Sequence, residues 1–308
     1  MAYSRYLGTV SWVVVLLCPV MALIAAASLH TGGDSLLQQA PNGSYINARI
    51  RVTIHYEDTI QLNYIGMLNV ASTALATLAL ADVTAFEKEI QFGSRNAVLK
   101  VVPVAPRSEY PIEAAILCIY YGTEDVSRSQ RWSEVTFGCF WDNVEVAMVI
   151  IEHRPPAAWN PICVLGNASA TDATNSTDLQ LNGLEPSFHY TPGGKILPIP
   201  LFYINVMNAI VVFAYFGRMD VLTNRCFTDP GPQWDTSMIF SGAINARTEP
   251  PFLQYQWILK TLLRLLRYML LRGSFAEIGM DFEVDNVILG NAILRAGKPP
   301  RSAFLLLC

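Results

Sequence analysis

Two long stretches without a charged residue, 9–29 and 196–217, divide this chain into a short stub, a large middle segment and a tail. A helix needs about 20 apolar residues to cross the roughly 30 Å hydrocarbon core of a bilayer, and both stretches meet that length. The first carries Trp12 near one end and Pro19 in its middle, which a membrane helix tolerates better than a soluble one. Its Ala25-Ala26-Ala27 triplet behind Arg5 equally fits a cleaved signal peptide. Either use sends the following segment across the membrane. The second stretch has Pro198 and Pro200 at its start and Asn205 and Asn208 on one helical face, where a membrane helix would meet a neighbour. Its competitor is buried core, as two strands broken at the asparagines. A third uncharged run, 64–81, is rich in Ala and Thr and reads as a buried helix rather than a span.

Composition supports membrane contact. Hydrophobic residues make up 52% and charged residues 15%, against a usual charged share of about 25%. A net charge of −4 excludes a globally basic nucleic-acid binder, so no nucleic-acid partner is expected. Arg5 precedes the first stretch closely while the next basic residue after it is Arg49, which orients residues 1–8 as a cytoplasmic stub. All three glycosylation triplets, at Asn42, Asn167 and Asn175, fall between the two stretches. Their number is close to chance, so they are consistent support and no more.

The middle segment reads as an α+β domain over 30–153 followed by a polar, glycosylated stalk over 154–195. Residues 45–56 alternate strictly, with Ile46, Ala48, Ile50, Val52, Ile54 and Tyr56 on one face and Asn47, Arg49, Arg51, Thr53 and His55 on the other. This is the period of a half-buried strand. Further strands are expected at 97–104, 114–121, 135–141 and 144–151. Cys118 and Cys139 fall in two of these and are the first pair expected to form a disulfide. The fold class is therefore α+β: an N-terminal membrane helix, a mixed lumenal domain, a second membrane helix and a partly helical tail over 218–308.

The tail contains a basic amphipathic helix over 255–272. Lys260, Arg264 and Arg267 share one side of it, while Ile258, Leu259, Leu262, Leu266 and Met269 share the other. Such a helix packs on its own core, lies on an anionic leaflet, or docks on a partner protein. The lipid bilayer is thus one expected partner, and a protein bound through the lumenal domain or through helix 255–272 another.

Chemistry is harder to find. No nucleophile elbow, phosphate loop, dinucleotide fingerprint or metal-binding histidine pair occurs, so neither a cofactor nor a metal is expected. Trp132, Trp141 and Trp159 with Tyr120 and Tyr121 would suit an aromatic sugar- or peptide-binding surface, although strand aromatics are more often core. The leading expectation is a membrane-anchored glycoprotein of the secretory pathway or cell surface that binds or scaffolds. Its alternative is a secreted or lumenal enzyme with a cleaved signal and 196–217 as core, for which His55, Glu57, Asp58 and His153 are the candidate groups. The abrupt end at Phe304-Leu305-Leu306-Leu307-Cys308 also fits an incomplete product.

Overall fold

The computed structural model describes residues 49–154 except Arg95, 184–242 except 224, 232 and 233, 251–297 except 285, and 306–307. The stub, the run 9–29, Trp159 and all three glycosylation triplets lie outside the described residues.

The chain builds the same unit twice. In the first, strand β1 (Ile50–Gln61) leads into helix α1 (Tyr64–Ala79). After the short β2 (Phe86–Glu87) come β3 (Ile90–Gly93), β4 (Ala97–Pro103) and the short β5 (Tyr110–Pro111). Helix α2 (Ile112–Ser129) and the hairpin β6 (Ser133–Trp141) and β7 (Val144–His153) complete it. The second unit runs β8 (Leu184–Tyr190), α3 (Ile199–Ala214), β9 (Cys226–Thr228) and β10 (Thr236–Gly242). It closes with α4 (Tyr255–Arg272), β11 (Ile278–Val284) and β12 (Val287–Ala296). The sheet orders correspond, β1-β6-β7-β4-β3 and β8-β11-β12-β10-β9, with β13 (Leu306–Leu307) added beside β9. Paired helices have equal lengths, 16 residues for α1 and α3 and 18 for α2 and α4.

Sequence remnants mark the duplication. Ile54-His55-Tyr56 and Phe188-His189-Tyr190 occupy the same register, with Tyr56 opposite Val135 and Tyr190 opposite Ile278. The triplet Asp-Asn-Val occurs in the sequence at both main hairpins, at 142–144 and 285–287. Asp142, Asn143 and Asn286 have φ of 50°, 65° and 63°, the left-handed conformation that two-residue hairpin loops require. Even a side-chain bond repeats. Glu134 Oε1 accepts from the His153 N–H at 2.7 Å, and Glu277 Oε1 accepts from the Ala296 N–H at 2.8 Å.

Each sheet lays its pair of helices on one face, and the two helix pairs pack against each other between the sheets, so both units share one core. Helix α3 lies centrally, against α1, α2 and α4 as well as β9 and β10. Thirteen of its residues, Phe202 to Ala214, are buried. Phe213 meets Phe240 of β10 edge-on at 4.7 Å and Tyr255 of α4 at 5.5 Å. Burying a side chain of that size contributes about 1.5–3 kcal/mol.

This packing corrects the expectation of a membrane helix at 196–217. Residues 202–214 are apolar because protein surrounds them, whereas Ile196 at the start of the run is 82% exposed; this is the core alternative realised as a helix rather than as strands. No helix among the described residues is long and apolar enough to cross a membrane. The run 64–81 forms the buried helix α1 as expected, capped by Asn63, whose side chain accepts from the Ile65 and Gly66 N–H groups. Three further expectations are corrected. Residues 114–121 belong to α2, whose twelve buried positions erase the helical period from the sequence. The end of the supposed stalk, 184–190, is the edge strand β8. Much of the supposed tail is the second unit.

Candidate interaction surface on the second unit

The three basic residues singled out in the sequence do share the outer side of α4. Lys260 is half-buried, and Arg264 and Arg267 are exposed. The apolar stripe opposite them, including Ile258, Leu259, Leu262, Leu266 and Met269, is packed into the shared core. Spacings of four, three and four residues extend the row to Leu271, whose 81% exposure makes it an aliphatic end to a cationic ridge. At the helical rise the row runs for roughly 16 Å.

An aromatic cluster lies at the C-terminal end of this ridge. Tyr268 packs on Phe188 of β8 with ring centres 4.9 Å apart. The Arg272 guanidinium lies 4.7 Å from the centre of the Tyr190 ring and donates to the Tyr268 hydroxyl at 3.1 Å. Gly273 takes a φ of 64° and ends the helix, a left-handed closure that glycine adopts without penalty. Sequence patterning did not single out Leu271, Arg272 or Tyr190. Extending the basic row one turn further would have reached the first two. Burial lowers the Lys260 pKa below its usual range.

The groups proposed for catalysis do not converge. His55 lies on β1 opposite Thr136, on the outward face of the first sheet. His153 ends β7, the central strand of that sheet, opposite Ala97. Asp58 is held below the usual carboxylate range chiefly by its bond from Arg131, at 2.6 Å. Glu57 sits opposite Glu134. Among the described residues no group of three His, Cys, Asp or Glu side chains is assembled to hold a metal. The aromatics weighed as a binding surface, and read more readily as core, are dispersed too. Trp132 packs on Tyr64 at 5.7 Å, Tyr120 on Tyr121 at 5.3 Å, and Arg49 covers Trp141 at 4.4 Å.

Cys118 and Cys139 do form a disulfide, joining α2 to β6 rather than two strands. Cys226 is disulfide-bonded as well. A second cluster spans the two units: Glu113, in the first turn of α2, interacts with the Tyr215 hydroxyl after α3 and with Arg49 and Asp142. Burial is the main cause of its raised pKa. Trp234 Nε1 donates to Glu124 Oε1 at 3.0 Å, another contact between the units.

No protein-family model matches this chain, and no curated protein matches it. Among solved structures it is similar to the tandem DUF26 ectodomains of two Arabidopsis thaliana cysteine-rich receptor-like proteins, PDLP8 with a TM-score of 0.22 and PDLP5 with 0.21. Each match is 9% identical and covers 80% of this chain and 98% of the other. At such TM-scores the likeness supports no conclusion about function.

Proposed function

We propose that this chain is a non-catalytic binding protein whose two units both face the lumen or the cell exterior. The observation that carries this reading is the Cys118–Cys139 disulfide inside a core that also contains α3. Disulfides persist in oxidising compartments. With Phe202–Ala214 inside that core, no described helix crosses a membrane between the units, and on this reading α4 shares the compartment of the disulfide. The run 9–29 then acts as anchor or signal, and Asn42, Asn167 and Asn175 lie where glycosylation occurs. Because 196–217 is core, release as a secreted protein is as natural an end state as anchoring. Carbonate extraction of membranes against recovery from medium separates the two.

The compartment is tested by Arg272→Asn, which completes a glycosylation triplet with Gly273 and Ser274. It is placed in a chain whose Asn42, Asn167 and Asn175 are all changed to Gln. An endoglycosidase-sensitive mass shift is expected. Glycans at the natural acceptors with none on the Arg272→Asn chain would place the second unit on the other side of the membrane and sink the reading.

A further inference from the structure

We infer that the outer face of α4 is a docking site for an anionic polysaccharide, an inference that rests on the compartment proposed above. The duplication supplies an internal control. Helix α2 has the same length and the same place in the first unit, yet it carries Glu113, Glu124 and Asp125 against Arg128 alone. At corresponding positions Tyr121 is replaced by Arg264, Glu124 by Arg267 and Arg128 by Leu271. The fold therefore does not require a cationic helix here. A chain with a net charge of −4 has nevertheless concentrated four basic residues and no acid on α4.

Three of these four charges are not consumed by ion pairing among the described residues. In the first unit Arg49 pairs with Asp142, Lys100 with Glu152, Arg128 with Asp125 and Arg131 with Asp58. Among the described residues Lys260, Arg264 and Arg272 meet no carboxylate. The guanidinium fork of arginine matches carboxylate and sulfate oxygens in pairs, giving charge-assisted bonds with defined direction. Leu271 supplies exposed apolar surface beside them, suited to the C–H face of a sugar. A linear polyanion can meet the charges strung over roughly 10 Å of helix from Lys260 to Arg267.

The occupant is set by the compartment. Anionic lipid is concentrated in the cytoplasmic leaflet, where it attracts basic segments. On the disulfide side of the membrane that attraction is missing, and a linear acidic sugar is the polyanion whose repeated charges best suit a straight cationic ridge. The leaflet expected from the sequence as the partner of Lys260, Arg264 and Arg267 is thereby replaced by a polysaccharide.

The test measures binding of the full chain to heparin, to polygalacturonate and to vesicles of phosphatidylcholine with phosphatidylserine. Wild type is expected to bind at least one polysaccharide and to release it as salt screens the contacts. Lys260→Glu with Arg264→Glu should weaken that binding by at least about tenfold, since two charge-assisted contacts are reversed. Lys88→Glu with Arg107→Glu, an equal change of net charge on the first unit, should weaken it by no more than about twofold. Arg264→Gln, which removes charge without adding repulsion, should give a partial loss with an unchanged melting temperature. Equal losses in both double variants, no binding to either polysaccharide, or tighter binding to the vesicles would overturn the proposal. The glycan on Arg272→Asn reads the compartment without any ligand, so a failed docking site and a failed compartment give different results.

Discussion

Cys118 and Cys139 close a loop with a sequence separation of 21 between the middle of α2 and β6. Cross-linking a loop of that size removes unfolded-state entropy and contributes about 3 kcal/mol. In the second unit Thr261 and Phe282 hold the corresponding places, so the architecture persists without the bond. Cys118→Ala with Cys139→Ala is therefore expected to fold and to lose about 3 kcal/mol in urea denaturation; an unchanged midpoint would refute the estimate. Glu113 makes a second residue-scale prediction. Burial first, and Asp142 beside it, raise its pKa above the ordinary 4.5, against the opposing bond from Tyr215 and charge of Arg49. Between 4.5 and the raised value the folded state holds more protons than the unfolded chain, so this group's contribution is complete below 4.5 and is lost as pH rises through the folded value. Glu113→Gln, which installs the residue found at the matching Gln256, removes that slope. Its melting temperature relative to wild type should rise with pH across the window and then level off; a gap independent of pH would show that Glu113 does not titrate there.

Helix α3 contains the least satisfied groups among the described residues. Asn205 and Asn208 are fully buried, and neither the amide nitrogen nor the oxygen of either has a hydrogen-bond partner. An unpartnered buried amide costs about 1–3 kcal/mol in protein hosts. Asn205→Leu and Asn208→Leu keep the branched shape and should raise the melting temperature, the gain reduced where the extra volume strains the packing. A large fall for either variant would mean that the amide is satisfied by a bound water. These asparagines also explain what the sequence made legible and what it hid. Strands with one wet face, such as β1, β6 and β7, display their period of two; β6 and β7 were located to within two residues, while β1 runs five residues past its expected end at Tyr56. The α4 stripe displays its period for the same reason. Helices α2 and α3 are wrapped on nearly every side, so their periodicity vanishes and only apolarity remains, which is equally the signature of a membrane helix or a core strand. The interaction surface was half legible: Lys260, Arg264 and Arg267 stood out by charge, whereas Tyr190 joins Arg272 only through the pairing of β8 with β11. The repeat was legible in principle, in the paired His-Tyr and Asp-Asn-Val remnants, but two short matches gain meaning only when a common register connects them.

At the scale of the molecule, the two units cannot be separated thermodynamically, although the chain reads as a tandem. Helix α1 packs against α3 and α4, and α2 packs against α3, so much of each unit's helical surface is covered only by the other unit. A unit alone would leave those faces in water, and Glu113, Glu124 and Trp234 would lose their partners across the boundary. One cooperative transition is therefore expected for the whole, with the calorimetric enthalpy equal to the van't Hoff enthalpy. Phe213→Ala sharpens the test. The residue is fully buried and belongs to the second unit, where it packs on Phe240, Tyr255 and Phe216. Truncating such a ring costs about 3–5 kcal/mol through lost burial and the cavity left behind. If the core is shared, amide-exchange protection should fall by a similar free energy in β6 and β7 of the first unit as in β10 and β12 of the second, because both are protected by the same global unfolding. Protection lost only in the second unit, or two resolved calorimetric transitions, would show that the units unfold independently.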